Sequence, residues 1–419
     1  MLPVDLRRRV RRRLSALSGR LELDIRYFSR GGFWLLLRLG ASYLLGLGRS
    51  VAFARLVDQS VYGQFAFVVG VANTVSILTL PGVDTAVVEA VARGKRGSVT
   101  DGVRVRLRWG LLATLAMISV SLYHLIQGQG DAALALVVAA VLLPFLSAGQ
   151  VVQAYYTGCK RFDKTSLISL TVLVLNNAAL LVAVLSGTSV VWLVVANSLP
   201  QLLLQLWVYG HVVRRIRDAP TDPDVASYGK ALTWADAVKS VAAQLDSVVL
   251  GFSGGFVDVA IYRIASVLPK SIQRLPKMLR TLLMPKIAGQ PHKRVYSSRT
   301  HKHLIHLWLL NGCLALLAAV GVRYLIPVLY GETYGQAVTY AQLLTISIVP
   351  VGPNSFFIAA LQARKETRAI YRANLLDSVL QIGTLVALVP SFGILGIIVS
   401  RIASRWGGAL YRWYAVTKI

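Results

Sequence analysis

Four basic side chains, Arg263, Lys270, Arg274 and Lys277, recur at intervals of seven, four and three within an otherwise apolar stretch. Those intervals place all four on one face of a helix. Arg401, Arg405 and Arg412 advance by four and seven in a second apolar stretch, again on one face. In a third, Arg38 and Arg49 are eleven apart, which returns to within about 20° at 100° per residue. Lys239 stands in a fourth. A cation facing lipid near the bilayer centre costs about 2.5–3.5 kcal/mol. Six deep ones (Arg49, Lys239, Lys270, Arg274, Arg401 and Arg405) would cost about 15–20 kcal/mol, so they must face water or an anion. The chemistry they offer is recognition of a phosphate, a pyrophosphate or an acidic sugar. Pro269 and Pro276 interrupt the first stripe, and carbonyls freed there are tolerated only along a cavity.

Only three acids share these stretches: Asp236, Asp246 and Asp377. Two roles are open to them, carrying a coupling proton or cation, or neutralising nearby bases. Lys239 lies one turn from Asp236 and one heptad from Asp246, so it either joins the cationic lumen or is satisfied on its own helix. Arg38, Arg55, Arg280, Arg372 and Arg412 sit close enough to the ends of their stretches to reach headgroups. His301, His303 and His306 lie among Arg294, Arg299 and Lys302 without a neighbouring acid, which reads as an interfacial basic patch rather than a metal site. Cys159 and Cys313 have no ligand spacing. No metal and no cofactor are called for.

The elements that position these residues follow from composition. The 419 residues carry 45 Lys+Arg against 18 Asp+Glu, a formal charge of +27, yet are 55% hydrophobic, with a mean hydropathy of +0.59. A soluble nucleic-acid binder would be less apolar, and so would a disordered basic tail. Apolar runs of about 20 residues recur throughout, the length that crosses a bilayer. The fold class is therefore an all-α integral membrane protein with twelve spans. The first six are Phe33–Val57, Val61–Pro81, Trp109–Ile126, Ala132–Thr157, Ser166–Ser186 and Val190–Gly210. The second six are Ala231–Phe252, Val259–Pro285, Leu304–Leu329, Val338–Leu361, Ile370–Pro390 and Gly393–Val416. With both termini cytoplasmic, the inner segments hold 31 of the Lys and Arg residues, the outer loops none, and the spans the other 14, as the positive-inside rule requires.

Residues 1–32 carry Leu6, Val10, Leu14, Leu17, Leu21, Ile25 and Phe28 at helical spacing among arginines. This segment reads as an amphipathic helix on anionic lipid, or as a basic tail that orients the first span. Val57-Asp58 and Val257-Asp258, each followed within a turn by a tyrosine, and Arg161–Thr165 and Arg364–Thr367, mark an internal repeat. The domains are thus two six-helix bundles, 33–211 and 231–419, joined by a cytoplasmic linker at 212–230. An even number of spans per copy makes the repeat parallel, with a site expected between the halves near the midplane.

Longer motifs carry a family resemblance. The first corner reads Arg49-Ser50, Ala54-Arg55-Leu56 and Tyr62-Gly63-Gln64-Phe65. The second half reads Leu245-Asp246, Leu250-Gly251, Tyr262-Arg263-Ile264-Ala265 and Met284-Pro285-Lys286-Ile287. Leu329-Tyr330-Gly331-Glu332, Leu361-Gln362-Ala363 and Pro390-Ser391-Phe392-Gly393-Ile394 follow in order. The chain resembles the polysaccharide-biosynthesis flippases of the multidrug/oligosaccharidyl-lipid/polysaccharide exporter superfamily. The resemblance implies a V of two bundles, alternating access and a polyprenyl- or dolichyl-linked oligosaccharide as cargo. It implies a transporter rather than an enzyme, monomeric and multi-pass in the cell membrane. The expected partners are the lipid-linked glycan, anionic membrane lipids and glycan-assembly enzymes, with no nucleic acid. A drug or organic-cation antiporter, or a membrane glycan polymerase, ligase or glycosyltransferase, is the competing expectation.

Overall fold

A computed structural model describes residues 25–187, 189–273 and 298–418, and every regular element among them is helical. The N-terminal arm and the stretch holding Arg274, Pro276, Lys277 and Arg280 lie outside the described residues. The first half comprises α1 (Ile25–Leu56), α2 (Gln59–Val75), α3 (Gly82–Ala92), α4 (Ser98–Ile126), α5 (Gly130–Gly158), α6 (Phe162–Ser186) and α7 (Val190–Ile216). The second comprises α8 (Val225–Ser253), α9 (Phe256–Ile272), α10 (Ser298–Tyr330), α11 (Gly335–Thr345), α12 (Val351–Ala363), α13 (Thr367–Phe392) and α14 (Ile394–Thr417).

Two expected spans are broken helices. After α2 the chain tightens into a 3₁₀ turn, Ser76–Thr79, then Leu80 turns left-handed at φ 57° ahead of Pro81. Proline lacks the N–H a continuing helix needs, but the chain resumes as α3 instead of leaving the membrane. Likewise α11 passes through a 3₁₀ turn, Ile346–Ile348, before Pro350 and α12. The third span also begins earlier than expected, at Ser98 rather than Trp109.

Among the described residues eight helical segments are long and apolar enough to cross a membrane: α2 with its 3₁₀ turn, α4, α5, α6, α7, α10, α11–α12 and α13. The protein is thus a multi-pass helical membrane protein. The helices outside that set include α1, α8, α9 and α14, which bear the in-span cations named above that lie among the described residues, apart from Arg372 on α13.

The loops separate into two ends. The turns after α1, α4, α6, α8, α10 and α13 carry no lysine or arginine, whereas those after α3, α5, α7 and α12 do. At the uncharged end one apolar core joins both halves, including Phe53, Tyr62 and Phe67 with Phe256, Ile261 and Tyr330. At the charged end the core divides. Leu80, Val99, Val151 and Val212 form one cluster, while Leu304, Phe357, Leu361 and Val416 form another. Among the described residues the halves thus share one core at the uncharged end and have separate cores at the charged end, where α8 alone still packs on α3 through Gly229 and Thr233 against Gly82.

The uncharged end is sealed by close backbone approach. A Cβ on Gly63 would lie 1.7 Å from the Phe256 carbonyl oxygen, so only glycine lets α2 and α9 meet there. Phe67 packs edge-on against Phe252 and at a tilt against Phe256, with centroids 5.7 and 5.6 Å away. Arg55 donates to the carbonyls of Val328 and Leu329, and Gln59 donates to Thr333 at 2.8 Å. Arg55 thus caps a helix end across the halves rather than reaching headgroups, a correction to its expected role.

At the charged end the connection between halves is pinned to the α3–α4 turn. Gly97 donates its N–H to the Pro220 carbonyl and Asp222 accepts from Arg93 and Lys95. The backbone N–H of Asp224, then Lys95 and Arg93, hold the Asp222 carboxyl below the usual carboxylate range.

Candidate functional site

The centre of the site is α9, whose buried side, including Val259, Tyr262, Ile264 and Ala265, packs into the shared core. Arg263 and Lys270, seven apart, line two pockets beside it, the first between the halves and the second within the second half. Arg263 meets Arg49 of α1 in a cavity of about 100 Å³ that is also lined by Gly46, Ser50 and Phe65. Further along α9, Lys270 shares a smaller pocket, about 30 Å³, with Arg401, Arg405, Gln273 and Ser347. Arg401, Arg263 and Arg405 all act electrostatically on Lys270, so the two pockets form one field. At 1.5 Å per residue the cluster lies about 10–20 Å inward from the uncharged end, near mid-membrane.

One carboxylate faces these five bases. Asp246 of α8 accepts from Arg401 Nε at 2.8 Å and from its Nη2, and the Tyr262 hydroxyl also donates to the same Oδ2. Arg401 Nη2 adds a bond to the Ala243 carbonyl at 3.0 Å. All three of these bonds to the carboxylate fall on Oδ2, while Oδ1 is buried without a partner. Lys270 Nζ sits 5.3 Å from the centroid of the Tyr262 ring, a cation–π contact. Among the described residues Arg49, Arg263, Lys270 and Arg405 form no ion pair. Lys270 is exposed despite these neighbours. Two adjoining pockets thus hold four cations without acidic partners, one between the halves and one within the second half.

A sequence profile described as "Polysaccharide biosynthesis protein" matches residues 28–288, well over half of the chain. The chain belongs to the polysaccharide biosynthesis protein family. No curated protein sequence matches it significantly. Its fold is that of the multidrug/oligosaccharidyl-lipid/polysaccharide (MOP) superfamily. One similar solved structure is described as the inward-facing conformation of a multidrug resistance MATE family transporter of the MOP superfamily. It has a TM-score of 0.66 and 14% identity, covering 91% of this chain and 98% of that one. The lipid II flippase MurJ, in its inward closed conformation, gives 0.65 at 15% identity, covering 91% and 87%. An outward-facing MATE family transporter gives 0.57 at 16% identity, over 94% and 96%.

Against this family frame the expected site residues divide. Arg49, Lys270, Arg401 and Arg405 are brought together. Arg401 is a partner of Asp246, so it organises the cluster and is not a free anion ligand. Arg274 and Lys277 fall outside the described residues. Arg38 is half-buried on α1 and lines neither pocket. Arg412, expected near headgroups, is 2% exposed and binds Asp377 at 2.6 Å and Asn374 at 3.0 Å. Gly408 makes room for this pair, since a Cβ there would overlap the Asp377 carboxylate. Asp246 and Asp377 are therefore counter-ions in this conformation. Asp236 and Lys239 are exposed and form no ion pair with each other, so of the two readings of Lys239 the one that pairs it with Asp236 does not hold. With Ser240 they share the side of α8 that carries Gly229 and Ser247, away from the apolar flank of Trp234, Val238 and Phe252.

A further buried pair was absent from the sequence reading. Arg106, counted there as a loop residue, is 2% exposed; its Nη1 contacts both Asp84 carboxylate oxygens at 2.6 and 2.7 Å. Its Nε and Nη2 bond the Thr79 carbonyl and hydroxyl at 3.3 and 3.1 Å, filling the break between α2 and α3. A signal existed: Val99, Val103, Arg106, Gly110, Ala113 and Met117 step by four and three, and all are buried. An arginine inside such a seam belongs to the core.

Proposed function

We propose that the protein carries an anionic lipid-linked oligosaccharide, a polyprenyl- or dolichyl-phosphate or -pyrophosphate glycan, from the inner to the outer leaflet of the cell membrane. The observation that supports this most is the set of four cations without acidic partners: Arg49 and Arg263 between the halves, and Lys270 and Arg405 in the adjoining pocket of the second half. Arg49 and Arg263 come from different halves, so an anion between them links both. The lipid tail stays in the bilayer beside the cleft. In this reading twelve spans form two six-helix bundles with both termini cytoplasmic, and the charged end is the open inner side. Lipid II flippase activity, the printed property of one structural relative, is the same class of movement.

An organic-cation antiporter would present a free carboxylate to the cargo. Here the acid at the centre, Asp246, is already held by Arg401 and Tyr262. The test is translocation of a fluorescent undecaprenyl-pyrophosphate oligosaccharide in proteoliposomes. Arg263→Glu and Arg405→Glu should each cut the rate at least tenfold while the protein still inserts and runs as a monodisperse species. Unchanged translocation by both variants sinks the cationic-cleft reading.

A further inference from the structure

The first half encloses another cavity, of about 240 Å³, that shares no lining residue with the cationic pockets. Its polar lining is built from amides and hydroxyls: Asn73 on α2, Ser147 and Gln150 on α5, and Asn197, Ser198 and Gln201 on α7. Its one charged side chain, Arg106, is already neutralised by Asp84. The cavity is thus polar but electrically balanced, unlike the cleft. Asn73 and Gln150 are exposed at its mouth, whereas Ser147 and Ser198 are buried. Asn197, Gln201 and Gln205 repeat every four residues along one face of α7. Gln205 is 2% exposed and neither of its amide atoms has a hydrogen-bond partner.

Such a lining has a chemical preference. An amide presents a donor and an acceptor side by side, the arrangement that pairs with two neighbouring hydroxyls. The lining amides are exposed or half-buried, so a hydroxyl-rich guest pairs with each of them in place of water. The remaining walls are aliphatic, suiting the C–H faces of a sugar ring. The volume is below that of drug-sized sites, about 300–1,000 Å³, and fits a single ring. With no unpaired cation to balance it, a carboxylate would enter at a desolvation penalty.

We infer that this cavity binds one uncharged sugar residue of the transported glycan, while the phosphate sits at Arg49 and Arg263. The inference rests on the flippase reading for its cargo, but makes a separate claim about where the sugar goes. Recognition is thereby divided: charge is read in the cleft and hydroxyl pattern in the first half.

The test uses the full-length protein in lipid nanodiscs. Free glucose, N-acetylglucosamine and glucuronate serve as sugar probes in saturation-transfer NMR, and inorganic pyrophosphate as the anion probe in calorimetry. At least one neutral sugar should receive transfer at least tenfold stronger than glucuronate does. Asn197→Leu with Gln201→Leu should reduce that transfer at least tenfold with pyrophosphate binding unchanged, and Arg263→Gln should do the reverse. A labelling measurement avoids dependence on those core changes. In a variant with Cys159 and Cys313 replaced by serine and Asn73→Cys added, the binding sugar should slow maleimide labelling at least fivefold. The inference is overturned if neither neutral sugar shows transfer, if glucuronate matches them, or if neither the leucine pair nor the labelling responds. Absence of pyrophosphate binding in the unaltered protein would instead strike at the flippase reading, leaving the sugar result to stand separately.

Discussion

Gly63→Ala is the smallest change that tests whether the uncharged end is a gate. The added methyl would lie 1.7 Å from the Phe256 carbonyl oxygen, whereas carbon–oxygen contacts settle near 3.3 Å. Helices α2 and α9 must therefore part by about 1.6 Å, the difference between those two distances. That separation loosens the Phe67–Phe256 contact and strips close packing from the seal. Overpacking of this kind costs about 1–3 kcal/mol. The cost falls on the sealed state alone, because the opposite state separates the two helices. The equilibrium should shift about 5- to 150-fold toward opening at the uncharged end. Spin labels at Asp58→Cys and Val257→Cys, both exposed and on opposite sides of the seal, would report it by pulsed dipolar spectroscopy. The unaltered protein should show a predominant short distance, and Gly63→Ala a longer one at its expense. Gly312→Ala, where a Cβ meets nothing within 4 Å, is the control. If Gly63→Ala leaves the distance distribution unchanged, the contact is static packing and the gating argument fails.

Three other outcomes follow from the same structure. Asp246→Asn or Arg401→Gln, each leaving a buried charge alone, should destabilise by about 3–5 kcal/mol, whereas the double variant should recover at least half of that in thermal melts. Arg106→Gln should lower the melting temperature more than Arg104→Gln, because Arg104 is exposed and pairs only with Asp101; equal shifts would contradict its role in the helix break. Asp222 has its carboxyl held below the ordinary range, so its contribution is complete above the unfolded pKa, about 3.9. That contribution is lost as pH falls through the lower folded value. Hydrogen exchange of the 219–224 connection should therefore accelerate below about pH 4, and Asp222→Asn should abolish that step.

The helical period explains why much of the site was legible. Arg263 and Lys270, or Arg401 and Arg405, share a face wherever their helix is placed, so spacing alone grouped them. Pairing is different, because it depends on which helices become neighbours. Asp246 and Arg401 are 155 residues apart, and no local pattern connects them. Arg412 was misplaced because position near a helix end was weighed without its small neighbours. Ser404 and Gly408 let α13 come close enough for Asp377 to reach it. Arg106 was lost to Pro81, which reads as a terminator in sequence but here only interrupts a span. The amide cavity had no signature, since Asn73, Gln150 and Asn197 converge only once α2, α5 and α7 have packed.

The Asp246–Arg401 bond also sets an order of events during synthesis. Helix α8 leaves the ribosome with an uncompensated acid worth about 2.5–3.5 kcal/mol against insertion, and its counter-charge is 155 residues away on the last helix. At about 5–20 residues per second, that helix is roughly 8–30 s behind. During that interval α8 leans on α2, α3 and α4 of the earlier half, through contacts such as Gly82 with Gly229 and Lys230 with Trp109. Integration of the middle of the protein is therefore completed by its end. Chains that stop before Arg401 should be left with α8 poorly anchored, and so be marked for degradation by the membrane's own quality control.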